Sequence, residues 1–234
     1  MRILAFETSA KAGSVALWEG GELLAESYQN TGLTHSQTLM TMAQDMLKSC
    51  GLTPGDVQAV AVAAGPGSFT GVRIGVAAAK GFAWGGQLPC YGVSTLEAMA
   101  LQLGVYSGYV LPVMDARRSQ VYNALFHAEE GKLNRLCQDR AISLEELRLE
   151  IINLTEPVFL VGDGSVLCYN TLREAVPGLV MPPPHQMHQR AAGVALAAAK
   201  QIGAGAAGDA GALQPNYLRL SQAERERLAR EQQK

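Results

Sequence analysis

Two carboxylates, Glu7 and Asp115, each close an apolar run that reads as a strand, and each stands with residues suited to an anion. Thr8 and Ser9 follow Glu7, the motif G-P-G-S-F-T-G-V-R occupies residues 65–73, and G-D-G occupies residues 162–164. Glu7, Thr8, Ser9, Gly65, Gly67, Asp115, Gly162 and Gly164 could together hold a magnesium-bound phosphate. The acids would take the hard cation and the turn amides the phosphate oxygens. Three glycines in residues 65–73 let the backbone adopt positive φ and approach a ligand closely, and free N–H groups at a helix start favour negative charge. The plainer reading is a strand-to-helix turn with Ser68 or Thr70 as N-cap, and acids that merely cap strand ends. No Lys-Ser or Lys-Thr pair follows Gly71, so the stretch is not a Walker A loop.

Other chemistry-bearing residues are scattered. Cys50, Cys90, Cys137 and Cys168 form no C-x-x-C pair and read as reduced, mostly buried thiols. His35 and His127 stand alone, and His185 and His188 follow three prolines at a solvated helix start. No metal site is expected, and no H-E-x-x-H motif or nucleophile elbow is present.

The elements that must position these groups fall into two similar series. Residues 2–8 read as a strand, 14–18 and 22–28 as a hairpin around Gly20-Gly21, and 34–50 as a helix closed by Gly51. A buried strand at 59–64, the glycine turn, an apolar helix through Trp84, a strand near 90–93 and a helix at 95–103 follow. After a break at 104–108, strands are expected at 109–114, 120–127 and 132–138, then a helix at 144–152 and a strand at 158–161. Residues 191–202 read as an alanine-rich helix, 203–211 as a Gly/Ala linker, and 215–219 as a final anchor. The expected domains are 1–104, with 191–220 packing back on it, and 105–190, with a charged tail at 221–234.

Helices one and two are more apolar than a sheet requires. The apolar arc of residues 34–50 spans about 160°, against roughly 100° for a single covered face. In the second helix only Arg73 and Lys80 are charged, and they form a narrow stripe flanked by Val76, Ala77 and Trp84. Either the two helices pack on each other, or they offer a partner a surface that includes Met42, Met46, Arg73, Val76, Ala77, Lys80 and Trp84. On the second reading Val76→Arg leaves the chain folded and abolishes association.

The chain has 234 residues, 48% hydrophobic and 17% charged, with a net charge of -2. It is large enough for one sizeable domain or two small ones. The charge argues against a protein that grips nucleic acid alone through a broad basic surface. Glu7 comes too early for a signal peptide, and no run reaches the roughly 18 apolar residues of a membrane span. A cytoplasmic chain without membrane contact is expected.

E-T-S at 7–9, S-V-A-L-W at 14–18, H-S-Q at 35–37, the 65–75 stretch, G-V-S-T-L-E at 92–97, M-D-A-R at 114–117, G-D-G and P-x-Y-L-R at 215–219 together resemble the TsaB (YeaZ) family, in the same order and over nearly the whole chain. The resemblance implies the two-domain actin-like ATPase (ASKHA) α/β fold, with two related halves meeting at a cleft. It implies a non-catalytic subunit in the making of threonylcarbamoyladenosine in tRNA, next to the anticodon. Such a subunit pairs with the catalytic paralogue TsaD, is joined by the ATPase TsaE, meets tRNA only through the complex, and forms a homodimer when alone. It also favours the interface reading of the helices, since TsaB and TsaD join through helices of their first domains. Where TsaD carries two metal-binding histidines, this chain has Thr95 and Met99, so neither metal nor other cofactor is expected. The rival expectation is a nucleotide-binding phosphotransferase or ATPase that keeps the cleft chemistry of the fold.

Overall fold

The computed structural model describes residues 1–219; the charged tail at 221–234 lies outside them. Its first half begins with β1 (Arg2–Glu7), β2 (Gly13–Glu19) and β3 (Glu22–Gln29), an antiparallel meander. α1 (His35–Ser49) then leads to β4 (Ala59–Gly65), which lies parallel to β1. α2 (Phe69–Gly86) leads to β5 (Cys90–Ser94), parallel to β4. The strand order is β3-β2-β1-β4-β5.

The second half repeats this plan. α3 (Thr95–Gln102) connects to β6 (Gly108–Asp115), followed by β7 (Gln120–Asn123), β8 (Phe126–Glu129), β9 (Lys132–Arg135) and β10 (Arg140–Ser143). α4 (Leu144–Ile151), β11 (Val158–Val161), α5 (Ser165–Leu172) and β12 (Leu179–Val180) complete it, and α6 (Ala191–Gly203) returns to the first half. The order β10-β7-β6-β11-β12 again places the first strand of the half centrally, antiparallel to its hairpin partner and parallel to the strand after the helix. Two such halves meeting at a cleft make the actin-like ATPase architecture.

Alternation along the central strands sorts side chains by size. Leu4, Phe6, Val60 and Val62 face α1 and α2, whereas Ala5, Ala16, Ala59, Ala61 and Ala63 face the alanine-rich α6. Small residues on both surfaces let α6 lie close to the sheet. At Gly193 an added Cβ would collide with the carbonyl of Ala98, so α3 and α6 also touch backbone to backbone. α3 joins the halves. Its Ala98 packs with the first sheet, while Leu96, Met99 and Leu103 pack with Val110, Met114 and Phe126 of the second.

Several expectations are corrected. The strand expected at 120–127 breaks at Ala124-Leu125, because β7 pairs with the end of β6 and β8 with its beginning. The strand expected at 132–138 stops at Arg135, where an Arg135–Asp139 ion pair at 2.6 Å fastens the turn into a separate β10. α5 starts just after G-D-G, in the position that α2 holds after the longer glycine motif, and was not expected. The Gly/Ala stretch at 203–211 is not a free linker. It docks on β5, so that a Cβ on Gly208 would meet the Tyr91 ring at 2.8 Å, and it buries Ala210 and then Leu213.

Candidate functional site

The cleft between the halves holds a cavity of about 420 Å³. Its wall brings together Ser9, Gly67 and Ser68 of the first half with Asp115 and Asp163 of the second. Glu7 lies beneath, wholly buried, with Thr8 and Ser9. Gly162 and Gly164 press against the end of β6, where added Cβ atoms would strike the Val113 carbonyl and the Met114–Asp115 backbone.

The two acids are used alike. Glu7 Oε1 accepts the N–H of Ser9 at 2.6 Å, and Asp115 Oδ1 accepts that of Arg117 at 2.7 Å, so each carboxylate folds back to cap the turn after its strand. Glu7 Oε2 and the Ser9 hydroxyl have no hydrogen-bond partner. Burial pushes the Glu7 carboxyl up to about 7; the hydrogen bond from the Ser9 N–H partly offsets this, and the Asp163 carboxylate adds to it. The Asp163 carboxyl, on a residue that is exposed overall, is also raised by the protein atoms crowding out its solvent, although Gln189 Nε2 donates to its Oδ1 at 3.1 Å. Among the described residues no three His, Cys, Asp or Glu side chains converge as metal ligands.

The glycine motif supports close packing more than an open cradle. The N–H of Ser68 donates to the carbonyl of Ser9 at 2.6 Å, and Ser68, not Thr70, is the N-cap of α2, its hydroxyl accepting from Gly71 at 3.3 Å. Thr8 Oγ1 donates to the Gly71 carbonyl at 2.8 Å. A Cβ on Gly67 would lie 2.5 Å from the Ser9 carbonyl oxygen; on Gly71 it would strike that of Thr8, and on Gly75 the Thr8 hydroxyl. The glycines thus seat the start of α2 directly on the end of β1. Gly65, at φ +116, leaves room for the carbonyl of Asn216. His35 of the H-S-Q motif serves the same corner, with Nε2 2.7 Å from the Ala10 carbonyl and its ring beneath Gly13.

The proposed surface on α1 and α2 divides sharply. Met42, Met46 and Val76 are only 5%, 6% and 5% exposed and belong to the core beneath the two helices, which corrects their assignment as contact residues. The wide apolar arc of α1 is filled by the sheet and α2, and Val76→Arg would bury a charge. Ala77 is exposed, Trp84 is 62% exposed, and Met40 is 44% exposed. Between the helices runs an apolar groove of about 660 Å³, lined by Met40, Leu47, Leu52, Gly81, Phe82 and Gly85.

Arg73 and Lys80 face a different occupant, the chain's own residues 208–219. Lys80 Nζ donates to the carbonyls of Leu213 at 3.0 Å and Gly211 at 3.4 Å. Arg73 Nε donates to the Tyr217 hydroxyl at 2.7 Å, and the Tyr217 ring stacks on Phe69 with centroids 4.5 Å apart. The strap then crosses the cleft, where Arg219 donates to the carbonyls of Ala116 and Arg117 in the second half. Sequence reasoning missed Asp163 as a cleft acid, although it sits within G-D-G. It also missed Gln189, which no local pattern marks.

Thr95 and Met99 are wholly buried. The Met99 sulfur packs at Gly162, 3.0 Å from where a Cβ would stand, and the Thr95 hydroxyl has no partner.

Comparison with known proteins agrees with this architecture. The family model described as "TsaD: tRNA N6-adenosine threonylcarbamoyltransferase" matches residues 29–226. The Bacillus subtilis tRNA threonylcarbamoyladenosine biosynthesis protein TsaB is 33% identical over 226 residues, 96% of each chain. Its Escherichia coli namesake is 43% identical over 140 residues, 56% of this chain and 60% of that one. The solved structure of YeaZ from Pseudomonas aeruginosa, 27% identical, superposes with a TM-score of 0.74 over 93% of this chain and 99% of its own. Sequence, strand order and relatives agree that this chain belongs to the TsaB/YeaZ family.

Proposed function

We propose that this chain is a non-catalytic partner subunit for a TsaD-type transferase in the biosynthesis of threonylcarbamoyladenosine in tRNA. The observation that carries this reading is the burial of Thr95 and Met99 at the positions where the family resemblance places the transferase's metal histidines. A hydroxyl and a thioether locked in the core between α3 and Gly162 cannot replace two imidazoles on a Lewis-acid metal. The phosphotransferase alternative has less support, since Glu7 and Asp115 each cap a turn and the N–H groups of Ser68 and Gly71 are taken up within the chain.

The association surface is the exposed side of α1 and α2: Met40, Ala77, Trp84 and the groove past Gly81 and Gly85. Glycines facing open space let a partner helix approach closely. The same face, left alone, pairs two copies about a two-fold axis. A TsaE-type ATPase joins the assembly, and tRNA is engaged through it.

The test is reconstitution of threonylcarbamoyl transfer with a TsaD from the same source, with and without this chain. Transfer that proceeds equally well without it refutes the reading. Trp84→Arg and Gly81→Arg, both on the open side of α2, should keep the fold and lose co-elution with the transferase.

A further inference from the structure

Away from the cleft most arginines are paired with carboxylates, whereas Arg173 and Lys48, Lys80, Lys132 and Lys200 have none in salt-bridge range among the described residues. Arg2, Arg135, Arg140, Arg148 and Arg190 each have a carboxylate oxygen within 3.2 Å. At the mouth of the cleft the situation reverses. Among the described residues Lys11, Arg73, Arg118 and Arg219 have no carboxylate in salt-bridge range, and Arg117 has only Asp115 at 3.5 Å with its own side chain 86% exposed. Arg73 and Arg219 are held by a neutral hydroxyl and by backbone carbonyls, which fix their positions, and no carboxylate among the described residues pairs with them.

The loop that carries two of these cations is strained. Arg117, Arg118 and Ser119 take φ values of 65, 57 and 56, three consecutive non-glycine residues in the left-handed region. Each such residue costs of order 1 kcal/mol. Beside them the exposed Tyr217 ring is braced by Phe69 on one face. Of the cleft's acids, Glu7 lies buried behind this rim, whereas Asp163 is exposed on the cavity wall.

We propose that this rim, Lys11, Arg117, Arg118 and Arg219 with Tyr217, is a contact for the phosphate backbone of RNA. The inference rests on the proposed role in tRNA modification and assigns to this subunit a share of the RNA grip. Unpaired cations at a rim suit phosphates spaced along a strand, and the braced ring offers a face on which an unstacked base can lie. The overall charge of -2 makes the contact too weak to act alone, so it operates within the complex.

The test compares complexes of the transferase with the wild-type chain, with R117E/R118E, and with Arg173→Glu. Arg173 is the remaining arginine without a salt bridge among the described residues, and it closes the far end of α5. Binding of unmodified tRNA is measured across a salt series. R117E/R118E should weaken binding by at least about tenfold near 0.1 M salt and lower the log–log salt slope by about 1–2, while Arg173→Glu changes neither. Unchanged affinity and slope in R117E/R118E, with the variant folded and bound to the transferase, overturns the proposal and leaves the subunit role intact. Loss of co-elution with the transferase in the absence of RNA also overturns it, and assigns the rim to an acidic protein surface instead. Transfer that does not need the chain at all refutes the role on which the inference rests.

Discussion

Replacing Glu7 by Gln isolates the energetic consequence of burying a carboxyl at the end of β1. The folded-state value of about 7 lies well above the 4.5 of the free side chain. Between those values the native state holds a proton that the unfolded chain releases, so stability is greatest below pH 4.5. It falls as pH rises through the window and levels off above 7. The gap corresponds to about 3 kcal/mol, and full burial leaves no solvent screening to discount it. Gln keeps an oxygen that accepts the Ser9 N–H and has no charge to lose. Its unpartnered amide group imposes a cost that does not vary with pH. Urea unfolding at pH 5, 6, 7 and 8 should therefore show wild type and Glu7→Gln converging or crossing, with the difference moving by roughly 2–3 kcal/mol in favour of Gln. Parallel curves would refute the reasoning. Millimolar magnesium and ATP supply a second reading, since a divalent cation on Glu7 would hold it ionised and flatten the wild-type slope. The slope is expected to persist.

Gly71→Ala should cost more than about 2 kcal/mol, because the new methyl meets the Thr8 backbone carbonyl rather than a movable side chain. Gly81→Ala on the same helix, where nothing lies within 4 Å, should stabilise the isolated chain by about 0.5–1 kcal/mol; chemical denaturation compares the two. Val76→Arg should yield aggregated or unfolded protein on size exclusion, whereas Trp84→Arg elutes as the folded chain, because one site is core and the other solvent. Leu213→Ala should lose about 2 kcal/mol and make the strap the first site of limited proteolysis, since Leu213 fills the space over Gly92.

Much of the scaffold was legible because its signals are periodic. The alternation in β1 and β4, the glycine closing α1 and the alanine content of α6 each follow from one local rule. The glycine motif was harder, since residues that let a backbone approach a phosphate equally let it approach another backbone. Nothing in residues 65–73 reveals that Thr8 and Ser9 occupy that space. A helical wheel gives the width of an apolar arc and not what fills it, which is why Met42, Met46 and Val76 were placed outside instead of in the core. The anchor at 215–219 is legible in P-x-Y-L-R, but the order of residues 208–214 is not, because their composition is that of a flexible linker while they are held by distant partners, Lys80 and Gly92. Asp163 and Gln189 meet across 26 residues through such long-range folding, and no spacing rule marks that pair.

The strap has a consequence for the order in which the molecule can mature. Every group it grips, from Ala64 and Phe69 to Ala116, precedes it in the chain, and both sheets are complete before residue 208. As the polypeptide leaves the ribosome, the halves can therefore form in turn, each closing its own core, with α3 and α6 as their first connection. The tie across the cleft comes last. Only when Arg219 emerges does the loop at Ala116-Arg117 acquire its fastening, so a nascent chain would present two finished halves and an unlatched cleft until synthesis has passed that residue.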